Sequence, residues 1–262
     1  MNGAIFATLS GQMPLQKDRA IVLSKRAFGE SDRIIKLFTF SSGKVSAIAK
    51  GAGKSQKRFA NTLEPFNVIN VEYFEKTSSS MVRIDNADVL ETNSGIELSL
   101  KRACTAGFFA EFTERLTKER QPQEALFGVL LAALRAVRAA DLQVAAILGF
   151  ELKILEALGY MPNFRTCVYC GKEIPDEEKT RFSRERGGVL CPACCRFLSY
   201  RQYPPAVLPY LSCLSCSSGS ERNDLLDGYA SDVMEGFVAF HLDVECRSYR
   251  ILKGLVGGRA RS

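Results

Sequence analysis

The chain has no tryptophan and only one histidine, His241, among its 262 residues. Histidine-based acid/base and nucleophilic schemes therefore have few parts to work with. His241 lies on an apolar helical face and reads as packed rather than catalytic. No stretch approaches eighteen uncharged apolar residues, and the opening residues lack the basic start and long apolar run of an export signal. The expectation is a soluble cytoplasmic protein. Acidic residues are scarce in the first third. Residues 1–80 hold 12 Lys/Arg against 6 Asp/Glu, residues 81–166 hold 10 against 11, and residues 167–262 hold 13 against 12. The net charge of +6 thus sits at one end, as expected of a surface that meets polyanions.

With 46% apolar and 24% charged residues, the chain has the composition of an ordinary globular protein. Residues 1–17 read as an extension, with Met13 as an alternative start and the first element beginning near Ala20. From Ala20 to Val89 five β-rich runs follow one another: AIVLSKRAF, IIKLFTF, KVSAIAK, FNVINVEYF and MVRIDNADV. Turn chemistry separates them (GESDR, SSGK, GAGKSQKR and EKTSSS), which predicts a small antiparallel barrel of OB-fold size over residues 18–90. The register of the fourth run is not readable, because both of its alternating sets contain apolar residues. After Ser94 the period changes to three and four. Helices are predicted over 95–119, 122–140, 142–160 and 223–255, forming a helical domain over 91–162 and 201–255.

Residues 163–200 interrupt that periodicity with cysteines. Cys167 and Cys170 form one C-x-x-C hook, and Cys191 and Cys194 form a second after twenty intervening residues. Four thiolates on two turns at this spacing predict a tetrahedral Zn²⁺ site. A closed set of four sulfurs leaves no open position, so the zinc is expected to be structural, one per chain, and to supply folding free energy to a segment with little apolar surface. Cys195 is a neighbour that could replace Cys194, though the hook spacing favours Cys194. Cys213 and Cys216 repeat the spacing without a matching second hook and read as ordinary residues of a loop or helix end. An odd total of nine cysteines argues against a disulfide framework.

The stretch IAKGAGKSQKRF, residues 48–59, ends its glycine-rich part as a nucleotide-binding loop would. That motif, G-x-x-x-x-G-K-[ST], requires a glycine where Ile48 stands, and the residues that follow do not read as the helix that would hold phosphate. The same residues instead predict a mobile cationic loop. Lys50, Lys54, Lys57 and Arg58, with Lys25, Arg26, Arg33 and Lys36 on the first two runs, are candidate contacts to a nucleic-acid backbone. One or two of Phe28, Phe38, Phe40 and Phe66 are expected to stack on bases, the rest to be barrel core.

These pieces resemble the RecO family of bacterial recombination mediators. The resemblance rests on the stretch AIVLSKRAFGESDRIIKLFTFSSGKVSAIAKGAGKSQKRFANTLEPF, on ALFGVLLAALRAV and FELKILEALGYMPNFRTCVYCG, on GGVLCPACC and on RSYRILK, and spans about residues 18–255. It implies an α+β chain: an N-terminal five-stranded OB-fold barrel followed by an α-helical bundle with an inserted four-cysteine zinc module. It also implies binding to single- and double-stranded DNA, strand annealing, contact with the tail of single-stranded DNA-binding protein, and RecA loading together with RecR, none of it catalytic. An apolar groove of the bundle with a basic rim would suit that tail, and Arg115, Lys118, Arg120, Arg135 and Arg138 are candidates for the rim. Two other readings stand beside this one: a zinc-stabilised RNA-binding or transcription factor, and an enzyme using Cys213 and Cys216.

Overall fold

A computed structural model describes residues 15–55, 58–75, 80–175, 179–216, 223–242, 246, 251–252 and 254. The chain divides into two compact units, Met1–Thr92 and Asn93–Ser262.

The first unit is a closed barrel of five strands: β1 (Leu15–Phe28), β2 (Asp32–Thr39), β3 (Gly43–Ala49), β4 (Val68–Phe74) and β5 (Val82–Glu91), in the spatial order β1-β2-β3-β5-β4. All pairings are antiparallel except β3 with β5, which is parallel. This is the OB topology, and closure leaves no sheet edge. The core follows the period of two: Ile35 and Leu37 on β2, Val45, Ala47 and Ala49 on β3, and Ile69, Val71 and Tyr73 on β4 all point inward. The register that the sequence left open is thereby settled. The Tyr73 ring fills the core while its hydroxyl lies 3.3 Å from the Ser42 hydroxyl. Gly43 ends the β2–β3 turn at φ +70°, a left-handed position where a side chain would be strained. β1 begins five residues before the predicted run, at Leu15, because Leu15, Gln16 and Lys17 pair with Phe74, Tyr73 and Glu72.

The second unit holds the helices α1 (Leu100–Leu116), α2 (Glu124–Ala139), α3 (Val144–Ala157), α4 (Val207–Cys216) and α5 (Asp224–His241). Ser99 caps α1 by accepting the Arg102 N–H, and Asn223 caps α5 by accepting that of Leu226. Phe109, Phe112, Phe127 and Leu130 are almost wholly buried. Helix α4 stands where the sequence suggested only a loop or helix end, and α5 ends at His241, with residues 251, 252 and 254 helical again beyond it, where one helical stretch over 223–255 was predicted. Gly149 of α3 lies so close to α4 that a Cβ there would sit 3.0 Å from the Leu214 carbonyl oxygen. Between α3 and α4 lies a three-stranded sheet, in the order β7-β6-β8, of β6 (Thr180–Ser183), β7 (Gly188–Val189) and β8 (Arg201–Tyr203). No described helix is long and apolar enough to cross a membrane.

Candidate nucleic-acid interface and metal centre

The barrel sorts its predicted cations into three groups. Cross-strand partners put their side chains on the same face of a sheet, and Arg26 lies opposite Ile34, while Lys36 lies opposite Ser24 and Ser46. These two point outward, and Lys36 Nζ donates to Ser46 Oγ at 2.5 Å. Lys25 and Arg33 share the other face. Lys25 opposes the core residue Ile35, and its ammonium reaches across to Glu64 at 2.5 Å. Arg33 opposes Ala27 and Ala49 at the barrel's end, donates to the Asp32 carbonyl and lies against Gly53. A Cβ at Gly53 would sit 2.7 Å from the Arg33 guanidinium nitrogens, so glycine lets the loop lie across that side chain.

The third group is the loop itself. It is not the free finger that its composition suggested. Asp32 accepts the Gly51 N–H at 2.8 Å, Ser31 accepts that of Gly53 at 2.6 Å, and Ser55 Oγ accepts those of Arg58 and Phe59. Phe59 and Leu63 enter the barrel core, and the buried Asn67 amide donates to the Asn61 and Thr62 carbonyls. Arg58 donates to the Lys50 carbonyl and lies 4.4 Å over the Phe59 ring. The side chains of Arg26, Lys50 and Lys54 have no ion-pair partner among the described residues and are exposed. Lys57 lies outside the described residues. Of the four aromatics, Phe38 is fully buried, Phe40 lies under the Arg19 guanidinium at 5.1 Å, Phe66 is half-buried, and only Phe28 is well exposed, at 48%. Phe28 opposes Asp32 beside Arg26, so one exposed ring and the cations of the loop share one end of the barrel.

The two cysteine hooks come together. The sulfurs of Cys167, Cys170, Cys191 and Cys194 all lie within 4.8 Å of one another, with Cys170 and Cys191 3.8 Å apart. A tetrahedral site with metal–sulfur bonds of about 2.3 Å places its sulfurs about 3.8 Å apart, so the donor set fits a thiophilic ion. Cys195 is turned away, its thiol 3.2 Å from the Pro192 carbonyl. In the first hook Gly171 adopts φ +74° and its N–H donates back to the Cys167 carbonyl. Gly188 is demanded by a close approach: a Cβ there would meet Val168 Cγ1 at 2.4 Å, since the strand leading to the second hook lies directly on the first. Burial pushes the Cys167 thiol up, but the N–H groups of Cys191, Cys170 and Tyr169 outweigh it and hold it at about 6. The Cys194 N–H likewise leads in holding Cys191 down. Cys194 is pushed the other way, to about 12, chiefly by its hydrogen bond to Cys191. Backbone donors thus prepare part of the cluster as thiolate, the form that binds metal.

The other candidates scatter. His241 is exposed, its Nε2 2.6 Å from the Arg184 carbonyl oxygen and its ring 4.7 Å from that of Phe237. Cys213 is exposed on α4, and the side chain of Cys216 is outside the description. Arg115 on α1 is paired with Glu111 at 3.1 Å. Arg135 and Arg138 belong to α2, with Lys118 and Arg120 in the connection before it. Sequence reasoning missed Glu151 of α3, which is 3% exposed with Oε2 unpartnered. Burial, followed by repulsion from Glu235, raises its carboxyl to about 8. Its placement among apolar helix positions was the available signal.

A closed OB barrel with cations gathered at one end, in one chain with a helical unit that carries four clustered thiols, defines a class of OB-fold proteins with an added four-cysteine module. The family models narrow the class. The model described as "Recombination protein O N terminal" matches residues 13–93, and "Recombination protein O C terminal" matches residues 97–248. The chain belongs to the recombination protein O family. It is 34% identical over 232 residues to "DNA repair protein RecO" of Myxococcus xanthus, covering 88% of this chain and 94% of that one. It is 38% identical over 174 residues to the protein of that name from Anaeromyxobacter sp. (66% and 68%) and over 185 residues to that of Thermoanaerobacter sp. (70% and 72%).

Proposed function

We propose that the chain is a DNA repair and homologous recombination mediator that works without catalysis in the bacterial cytoplasm and at the nucleoid during repair. It binds single- and double-stranded DNA and anneals complementary strands. With RecR, it helps load RecA on DNA coated by single-stranded DNA-binding protein. The carrying observation is the exposed set Arg26, Lys50 and Lys54, without ion-pair partners among the described residues, beside the exposed Phe28 at one end of the barrel. Phosphate neutralisation with an adjacent ring is how a surface holds a single strand without reading its sequence. Annealing needs no more than this, because screened strands repel each other less.

The four cysteines hold Zn²⁺ in a closed structural site, which supplies folding free energy and orders the two hooks. The basic residues Arg115, Lys118, Arg120, Arg135 and Arg138 are the candidates to meet the acidic tail of the single-stranded DNA-binding protein. The test is binding of labelled single-stranded DNA, duplex and RNA by the metal-loaded chain, over a range of salt and without nucleotide. Sequence-independent DNA binding that weakens steeply with salt supports the proposal. A preference for RNA or for one duplex sequence would replace it with an RNA-binding or transcription factor.

A further inference from the structure

Two aromatic rings stand largely uncovered on the metal module among the described residues. Tyr169 lies between the ligands of the first hook and is 65% exposed, and Phe197, three residues beyond Cys194, is 82% exposed. Their chain neighbours do the packing: Val168, Cys195 and Leu198 join Cys167, Leu190 and Cys191 in a small apolar cluster. Neither ring meets another ring or a guanidinium among the described residues. Because the four sulfurs lie within 4.8 Å of one another, both rings ride on turns fixed to one centre. Lys172 and Arg196 flank them in the chain, exposed and without an ion-pair partner among the described residues. Residues 163–201 hold eight Lys/Arg against five Asp/Glu, so the module also carries a modest positive charge.

We propose that Tyr169 and Phe197 form a second stacking site, on the metal module, that takes unpaired bases of single-stranded DNA while Lys172 and Arg196 meet the adjoining phosphates. Two uncovered rings on turns anchored at one cluster, with flanking cations, are the components of a single-strand platform, which accepts any base because every base has a π-face. A duplex keeps its bases stacked on one another and cannot use the rings. The site rests on the single-strand binding proposed above and adds to it discrimination between single-stranded and duplex DNA.

The test uses the full, metal-loaded chain with labelled single-stranded DNA and the matching duplex. Tyr169→Ala and Phe197→Ala should each weaken single-strand binding roughly 5- to 150-fold, with duplex binding unchanged. The salt slope should also stay unchanged, because stacking releases no counterions. Metal content stays at the wild-type value, and Tyr169→Phe and Phe197→Tyr restore binding. Ultraviolet crosslinking of bromodeoxyuridine-substituted strands should label the peptides carrying Tyr169 or Phe197. Unchanged single-strand affinity in the double alanine variant overturns the proposal and leaves the rings to a protein partner. Equal losses for single strand and duplex overturn it too. Neither result touches the barrel's role, which the Lys50, Lys54 and Arg58 variants test separately.

Discussion

Replacing Lys50, Lys54 and Arg58 with alanine removes three cations from one end of the barrel without entering its core. Lys50 and Lys54 are exposed and have no ion-pair partner among the described residues, and the Arg58 side chain meets the Lys50 carbonyl and the face of Phe59. If each neutralises one phosphate, the slope of log affinity against log salt for single-stranded DNA becomes shallower by roughly 0.7 per cation, or about 2 in all. Over a fourfold rise in salt, from about 50 mM to 200 mM, that is roughly an 18-fold smaller loss of affinity for the variant than for the wild type. The difference between the two proteins should therefore be large at low salt and shrink as salt rises. Anisotropy titrations at four or more salt concentrations read both quantities. A uniform loss of affinity with an unchanged slope would refute the reasoning, because the loop would then be acting through the packing of Phe59 and Leu63 rather than through phosphate contact.

Further predictions follow from particular contacts. Glu64→Gln releases Lys25 from its 2.5 Å ion pair, so single-strand affinity should rise and the salt slope steepen by up to roughly 0.7, read in the same titrations. Cys191→Ser removes one of four sulfurs, and metal content measured by mass spectrometry should fall well below that of the wild type, with proteolysis opening the segment between the hooks. Duplex binding through the barrel should survive it. Glu151 has a folded-state pKa raised to about 8 from 4.5, so its neutral form is favoured in the fold. The stability that depends on it is complete below the unfolded value and drains away as pH rises through about 8. Glu151→Gln should therefore gain on the wild type with rising pH, by roughly 3 kcal/mol at pH 7 relative to pH 4, seen as diverging urea midpoints. A pH-independent difference would mean that the carboxyl does not titrate in this range.

The barrel was legible because its strands are short apolar runs bracketed by turn residues, and the metal centre because ligand spacing along the chain is also ligand spacing in space. The β4 register was not, since Val68 on one face and Ile69, Val71 and Tyr73 on the other are all apolar, and only closure of the barrel decides which set points in. Helix α4 was hidden by Pro204, Pro205 and Pro209, yet Pro209 sits in its first turn, where a missing N–H costs nothing. The eight candidate phosphate ligands looked equivalent in sequence. What separates them is tertiary: Lys25 finds a carboxylate 39 residues away, and Arg33 is covered by the glycine loop that first suggested a nucleotide site. Gly53 serves a close crossing over that arginine, and Gly51 takes a left-handed turn at φ +70°.

The most direct test of the central claim is annealing of complementary oligonucleotides coated with single-stranded DNA-binding protein, followed by fluorescence transfer in the absence of any nucleotide. The account predicts that the wild-type chain accelerates pairing without ATP. It also predicts that the Lys50, Lys54 and Arg58 alanine variant slows pairing most at low salt, where its affinity loss is greatest. A requirement for ATP, or wild-type annealing by that variant, would contradict it.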